Sequence, residues 1–306
     1  MSPTDAAVSA EVDIDHLRQW IGKTEEFEDV ITESPMIRLS ATLDRDDPDP
    51  KAGDPLPLAW NWLYFLPRAK QSDLKEDGHP KLGGFLPPVP YPRRMWAGSR
   101  FDHIKPLRVG EQAKKVSTIL DVTFKEGRSG NLVFLLIQHQ YFGEDGLCVS
   151  EEQDVVYRGP APAAPEKKEE KAAKPADAKP KKAPEPPGKA VWTLDVHPDP
   201  RLLFRYSALT FNTHRIHYDE PYVTQEEGYP GLVVHGPLLA TLLLDLARRS
   251  KPDAFQKKFG FRAMAPLFSG TPFTVSGEPN ADESAAKLWI TNPKGQLAMQ
   301  SDIEFA

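Results

Sequence analysis

Between Pro237 and Arg249 the chain places leucine at 238, 239, 242, 243, 244 and 246. These positions cover most of a helical circumference, so the pattern predicts a helix that must be wrapped on nearly all sides. Gly236-Pro237 marks its start. Arg248, Arg249 and Lys251 suit its C-terminal end through the helix dipole, and Pro252 stops it. Strand candidates follow at 257–263, 272–277, 286–291 and 297–305, with Asn292-Pro-Lys-Gly295 as a hairpin turn between the last two. Ahead of the helix, 190–197 alternates weakly and 202–207 reads as a strand. A polar loop carrying His214 and His217 comes next. One buried helix followed by antiparallel strands predicts an α+β sheet curled around a helix.

The first half reads the same way. Ser34-Pro35 predicts an N-cap and first helical position for a helix to Leu43. Strand patterns at 114–124, 132–141 and 148–158 are separated by turns at Gly127–Gly130 and Gly143–Gly146. The shared order of elements suggests a degenerate duplication. From Gly159 to Ala190 the sequence is nearly all Ala, Pro, Lys and Glu and cannot offset its ordering entropy. It is expected to be a disordered linker. The expected organisation is therefore an N-terminal domain over 1–158, a linker over 159–190 and a C-terminal domain over 191–306.

Composition narrows the function classes. A net charge of -6 argues against general nucleic-acid binding. No apolar run reaches the roughly 18 residues of a membrane span, and no secretory h-region opens the chain, so a cytoplasmic, soluble protein is expected. The lone Cys148 lies in a strand pattern and reads as a small core residue.

The chemistry concentrates around Asn212-Thr-His214-Arg-Ile-His217-Tyr-Asp219 and His235-Gly236-Pro237. Proline at the first helical position leaves the N–H groups of Gly236 and Leu238 at the positive end of the dipole. The missing Cβ at Gly236 lets a carbonyl approach. Gly236 is thus a candidate oxyanion donor, and His217 titrates in the range that proton transfer at neutral pH requires. His214, His217 and Asp219 have metal-like spacing, but nothing nearby in sequence completes a ligand set, and no metal is expected. Arg93, Arg94 and Arg100 sit in what reads as a Pro- and Gly-rich loop beside Trp96. Their guanidinium forks suit a carboxylate or the phosphates of a coenzyme, and equally a solvated loop. Trp62, in the cluster Trp60-Asn-Trp-Leu-Tyr-Phe65, is a candidate wall of an acyl pocket or a packed core residue.

These motifs resemble the MaoC-like hydratase/dehydratase family, whose loop carries Asp-x-Asn-Pro-(Ile/Leu)-His and whose helix follows a His-Gly pair. Trp20-Ile-Gly22, Asp77-Gly-His-Pro80, Phe85-Leu-Pro-Pro88, Arg93-Arg-Met-Trp96-Ala-Gly98 and Glu151–Arg158 extend the resemblance over most of the chain. They look like one double-hotdog subgroup that hydrates mesaconyl-C4-CoA (3-methylfumaryl-CoA) or itaconyl-CoA to citramalyl-CoA.

The resemblance implies two hotdog domains, an acyl-CoA substrate, no cofactor beyond the CoA of that substrate, and His217 in the catalytic histidine position. It also exposes a departure. Asn212 stands five residues before His217, where the family has its catalytic Asp, and an amide cannot accept and return a proton. The expectation is that His217 does most of the acid-base work, Asn212 fixes water, Gly236 holds the enolate oxygen and His235 belongs to the substrate-binding set. A 3-hydroxyacyl-thioester dehydratase of fatty-acyl chains, a thioesterase and a non-catalytic acyl-CoA binder remain open, as does the pairing of two chains into a homodimer.

Overall fold

The structure, a computed structural model, describes residues 12–126, 130–159 and 185–306. Most of the expected linker, 160–184, and the turn at 127–129 lie outside the described residues. The strands are β1 (Thr24–Val30), β2 (Arg93–His103), β3 (Gln112–Lys125), β4 (Leu132–Gly143), β5 (Gly146–Arg158), β6 (Trp192–Val196), β7 (Gln256–Ala263), β8 (Phe273–Pro279), β9 (Ala285–Thr291) and β10 (Leu297–Phe305). The helices are α1 (Ile14–Arg18), α2 (Glu33–Thr42), α3 (Pro200–Leu209), α4 (Glu220–Gln225) and α5 (Gly236–Ser250).

All ten strands join one sheet in the order β1-β3-β4-β5-β2-β7-β10-β9-β8-β6. Within each half the order is first, third, fourth, fifth, second. The second strands, β2 and β7, meet antiparallel at the centre, with Phe101 opposite Phe259. This is two hotdog units side by side, an α+β double hotdog.

The halves differ in what their sheets enclose. In the second half α5 lies on β6, β8, β9 and β10, and every residue from Leu238 to Ala247 is buried. Each leucine so removed from water contributes about 1.5–3 kcal/mol. The corresponding helix of the first half, α2, packs chiefly against α3 and the 3-10 turn Trp60–Leu63 instead of the strands. The inner face of the first sheet is covered in two pieces. Residues Leu56–Phe65 pack at one end against Phe101, Tyr141 and Val149. Leu17, Val89 and Tyr91 pack at the other against Ile119, Leu135 and Ile137.

Three local expectations are corrected. Residues 202–207 are not a strand but part of α3, because Asp199 caps Leu202 N–H at 2.9 Å and Pro200 occupies the first turn. The chain entering α2 turns helical at Glu33 after Thr32, so Ser34 and Pro35 sit inside the first turn. The stretch 93–103 is no loop but the strand β2, paired on both sides in the middle of the sheet. The proline run that suggested a loop ends at Pro92, one residue before it.

A polar clasp ties the first half to α5. The buried Asp245 carboxylate binds Arg45 at 2.5 Å and Arg249 at 2.7 Å, while Asp47 binds Arg45 and Arg248. The Arg248 guanidinium in turn stacks over the Trp60 ring, 4.8 Å from its centroid. Removing one partner leaves a buried charge uncompensated. Asp245→Asn is therefore expected to destabilise the protein by about 3 kcal/mol, read as a lower midpoint in urea unfolding.

Candidate active site

A single loop holds the histidines. Asn212 Oδ1 accepts the His214 N–H at 3.0 Å, an Asx turn that fixes the start of the loop. The 3-10 turn Arg215–His217 follows. Asp219 then closes the loop by capping α4 through Tyr222 N–H and pairing with Arg215 at 2.8 Å. That pairing takes Asp219 away from the histidines. Among the described residues no group of three or more His, Cys, Asp or Glu is arranged to hold a metal.

His217 is buried, and its Nδ1 lies 2.7 Å from the Val233 carbonyl oxygen. A carbonyl only accepts, so Nδ1 carries the proton and Nε2 is a bare acceptor. Burial pushes the imidazole down to about 4 and keeps it neutral at pH 7. His235 stacks on it, with ring centroids 3.7 Å apart, and binds the Ser207 hydroxyl through Nε2 at 2.8 Å. Burial, then the neighbouring His217 and His214, holds His235 well below its ordinary value. His235 is a packing support behind His217.

Gly236 opens α5, and its N–H donates to no acceptor among the described residues. A Cβ there would meet nothing within 4 Å, so the chain beside this glycine is open to the cavity that it lines. Gly236, His217 and Asn212 all line one cavity of about 880 Å³ shared by both halves.

Across this cavity the first half presents a polar wall. Alternation along β4 puts Val133, Leu135, Ile137, His139 and Tyr141 on one face. Ser117 and Glu151 flank His139 on the neighbouring strands. Glu151 is fully buried and accepts hydrogen bonds from Trp62 Nε1, Ser99 and Tyr141. Burial still raises it to about 6. Burial and the nearby Lys115 charge hold His139 at about 3. Two cations line the cavity as well. Lys115 has the Phe27 ring 5.1 Å away but no carboxylate at ion-pair distance among the described residues, and burial pulls it down. The half-buried Arg94 side chain has no hydrogen bond or ion pair among the described residues.

The loop after the Trp60–Leu63 turn reaches the same place. Gly78 lies so close to the histidine loop that a Cβ on it would collide with the Thr213 carbonyl oxygen, and its φ of +89° suits glycine. Thr213 hydroxyl bonds Gly78 O at 2.6 Å and Arg215 N–H bonds Asp77 O at 3.0 Å. These contacts bring the His79 ring to 4.1 Å from that of His214. Burial, with contributions from His79 and His217, lowers His214 to about 2.

Of the residues singled out from sequence, His217, Asn212, Gly236, Arg94, Trp96 and Trp62 line the cavity, while Arg93, Arg100 and His235 do not. Arg93 is exposed near Glu227, and Arg100 pairs with Glu152 and Asp154 on the outer face of the sheet. Alternation along β2 turns Arg94 and Trp96 inward and Arg93 out, and the bulge between Trp96 and Gly98 then shifts the phase so that Arg100 faces out. Cys148 is buried in β5, where burial raises its thiol. Sequence reasoning did not single out His79, Lys115, His139 or Glu151. Their signal was a polar residue at an inward position of an otherwise apolar strand or, for His79, the motif Asp77-Gly-His-Pro80.

Comparison with known proteins agrees with the fold. A family model of hydroxyacyl-thioester dehydratase type 2 matches residues 59–269. A Chloroflexus aurantiacus protein named mesaconyl-C(4)-CoA hydratase is 48% identical over 287 residues, 93% of this chain and 96% of that one. The crystal structure of a MaoC-like dehydratase from Phytophthora capsici superposes with a TM-score of 0.62 at 14% identity, covering 96% of this chain and 99% of that one. A Mycobacterium tuberculosis protein with a double hotdog fold gives 0.54 at 12% identity, covering 95% and 97%. Fold and relatives together define a double-hotdog hydro-lyase. The chain belongs to the hydroxyacyl-thioester dehydratase type 2 family. Among the described residues no helix is long and apolar enough to cross a membrane.

Three histidines with folded values near 2, 3 and 4 make the fold acid-sensitive. Each is depressed from 6.5, so the unfolded chain binds more protons below that value and stability falls as pH drops from about 6.5 toward 4. At pH 5 each contributes a loss of about 2 kcal/mol, which outweighs the opposite effect of Glu151. Melting temperature measured at pH 7 and pH 5 is expected to be clearly lower at pH 5, and an equal or higher value would refute the assignment of neutral buried histidines.

Proposed function

We propose that the enzyme reversibly hydrates an α,β-unsaturated acyl-CoA whose acyl group is a C5 dicarboxylate, mesaconyl-C4-CoA or itaconyl-CoA, giving citramalyl-CoA. The observation that carries this reading is the inward-facing Arg94, half-buried and without an ion-pair partner among the described residues, in the same cavity as His217 and Gly236. A fatty-acyl chain offers such a cation nothing, whereas a distal carboxylate satisfies it with charge-assisted hydrogen bonds. Lys115 adds a second cation on the same wall. The relative named mesaconyl-C(4)-CoA hydratase, 48% identical, supports the same substrate class.

The chemistry has two demands. Water must lose a proton as its oxygen bonds to the β-carbon, and negative charge gathers on the thioester oxygen. The free Gly236 N–H at the positive end of α5 supplies the donor for that oxygen. Neutral His217 supplies an acceptor nitrogen for water. Asn212 spends its carbonyl oxygen on the His214 N–H, so its amide N–H2 is what remains to hold an oxygen atom. No step requires a cofactor beyond the CoA that the substrate carries.

Incubation with mesaconyl-C4-CoA, itaconyl-CoA and crotonyl-CoA, with products identified by mass, tests the reading. Conversion of a dicarboxylyl-CoA by addition of one water is expected, and turnover of crotonyl-CoA alone would reject it. Arg94→Gln is expected to lower kcat/KM for the dicarboxylyl substrate about 10- to 100-fold, the worth of a charge-assisted hydrogen bond, and to leave crotonyl-CoA within about threefold. His217→Ala is expected to lower kcat by about 10²–10⁴ on any substrate turned over, and full turnover would remove His217 from the mechanism.

A further inference from the structure

Asn212 cannot carry a proton, and its oxygen is already committed to the loop. His217 alone is poorly suited to end up charged. It is fully buried, its Nδ1 faces a neutral carbonyl, and another imidazole is stacked on it. His214 has a ring on either side, those of His79 and His217, with centroids 4.1 and 5.4 Å away. Neither imidazole has a carboxylate at ion-pair distance among the described residues.

One imidazole in the cavity does. His79 Nδ1 lies 3.4 Å from Asp77 Oδ2, at ion-pair distance but out of hydrogen-bond alignment, and the Asp77 carboxylate is itself fixed by the His79 backbone N–H at 2.9 Å and by Lys75 Nζ at 2.7 Å. Burial would raise Asp77, but the bonds from His79 and Lys75 outweigh it and hold the group ionised. With Nδ1 turned to Asp77, the opposite Nε2 edge of His79 is the one available to the cavity that His79 lines. The ring's position is fixed because Gly78 and Asp77 are bonded to the backbone of the histidine loop. This is the logic of an orienting carboxylate, an imidazole and a reacting group, assembled from opposite halves of the chain.

We propose that His79, oriented by Asp77, is the second catalytic imidazole of the hydration site and the group that carries the proton. Water in the cavity that both imidazoles line gives one O–H to the bare His79 Nε2. As its oxygen bonds to the β-carbon, one O–H bond breaks and that proton passes to His79, where the Asp77 carboxylate balances the charge. The C=C electron pair moves onto the α-carbon and the thioester oxygen, which accepts from Gly236 N–H. The proton then passes from His79 to the α-carbon. Both elements of water end on the product and both imidazoles return neutral. The other O–H remains as the product hydroxyl. Asp77 acts through His79 and is a positioning residue. The proposal needs only that the chain be a hydro-lyase, so it is measured with mesaconyl-C4-CoA and with crotonyl-CoA and survives a revision of the acyl group.

His79→Ala and Asp77→Asn test it, with melting temperatures as the check on folding. His79→Ala is expected to lose about 10²–10⁴ in kcat with KM within threefold, and free imidazole is expected to restore part of the loss. Asp77 opposes the effect of burial on His79, so in Asp77→Asn the acid limb of the kcat profile is expected to move to lower pH while the plateau falls. Rescue by imidazole and a moved acid limb are readouts that a merely structural loop would not give. Turnover within threefold of wild type in His79→Ala overturns the proposal. So does a loss that imidazole leaves untouched in a normally melting variant, or a larger kcat loss in His214→Gln than in His79→Ala.

Discussion

Two similar half-sheets share one buried helix of their own kind. In the second half α5 fills the concave face of its strands with leucine, and that half needs nothing further. In the first half the equivalent helix, α2, is turned toward α3 and the Trp60–Leu63 turn, so the first sheet would lack a core if its inner face were apolar throughout. The chain answers with apolar cover at both ends of that face and a polar band between them: Lys115, Ser117, His139, Glu151 and Ser99. A buried polar band is costly unless its groups find partners. Some do so within the chain, as Glu151 does with Trp62, Ser99 and Tyr141. Others, Arg94 foremost, face the cavity, and the cavity exists because no helix fills that space.

The same asymmetry divides the labour of the site. α5 supplies a rigid donor at its N-terminus, and the loop before it supplies His217 with a tautomer fixed by Val233. The first half supplies cations, a polar wall and a second loop docked on the first through Gly78 and Thr213. Contacts between the loops are mainly backbone to backbone or backbone to side chain, so the geometry is set by the chain path and less by any exchangeable pair of side chains. The clasp of Asp245, Arg45, Asp47 and Arg248 works to the same end further along α5 by tying the segment after α2 to the helix. Neutral histidines in this interior are a consequence of burial, and a low-dielectric interior strengthens the dipole and hydrogen-bond effects that stabilise an enolate.

Much of this was legible in the chain. The helix at 236–250 followed from six leucines and a Gly-Pro start, because a helix that buries nearly all its surface needs no help from context to reveal itself. β7 to β10 followed from alternation and from the turn at Asn292–Gly295, whose backbone bond is present at 2.9 Å. α3 was misread, since Leu202-Leu-Phe-Arg-Tyr-Ser is equally compatible with either period and only the Asp199 cap decides it. β2 was misread for a similar reason: its neighbours on both sides lie far away in sequence, and proline just before it mimics a loop. Arg93, Arg94 and Arg100 could not be told apart without knowing that the segment is a strand and which face is inward.

The sequence by itself determined the local chemistry: a histidine loop, an amide where a carboxylate was expected, and a glycine at the start of a buried helix. Such features depend on residues close together in the chain, where spacing fixes geometry. The tertiary structure alone decided which imidazoles share a cavity. His79 and His217 lie 138 positions apart, and only the docking of one loop on the other places their neighbour His214 between them. Tertiary structure also decided the protonation, because the low values of His214, His217 and His139 come from burial, and burial is a property of the packed molecule.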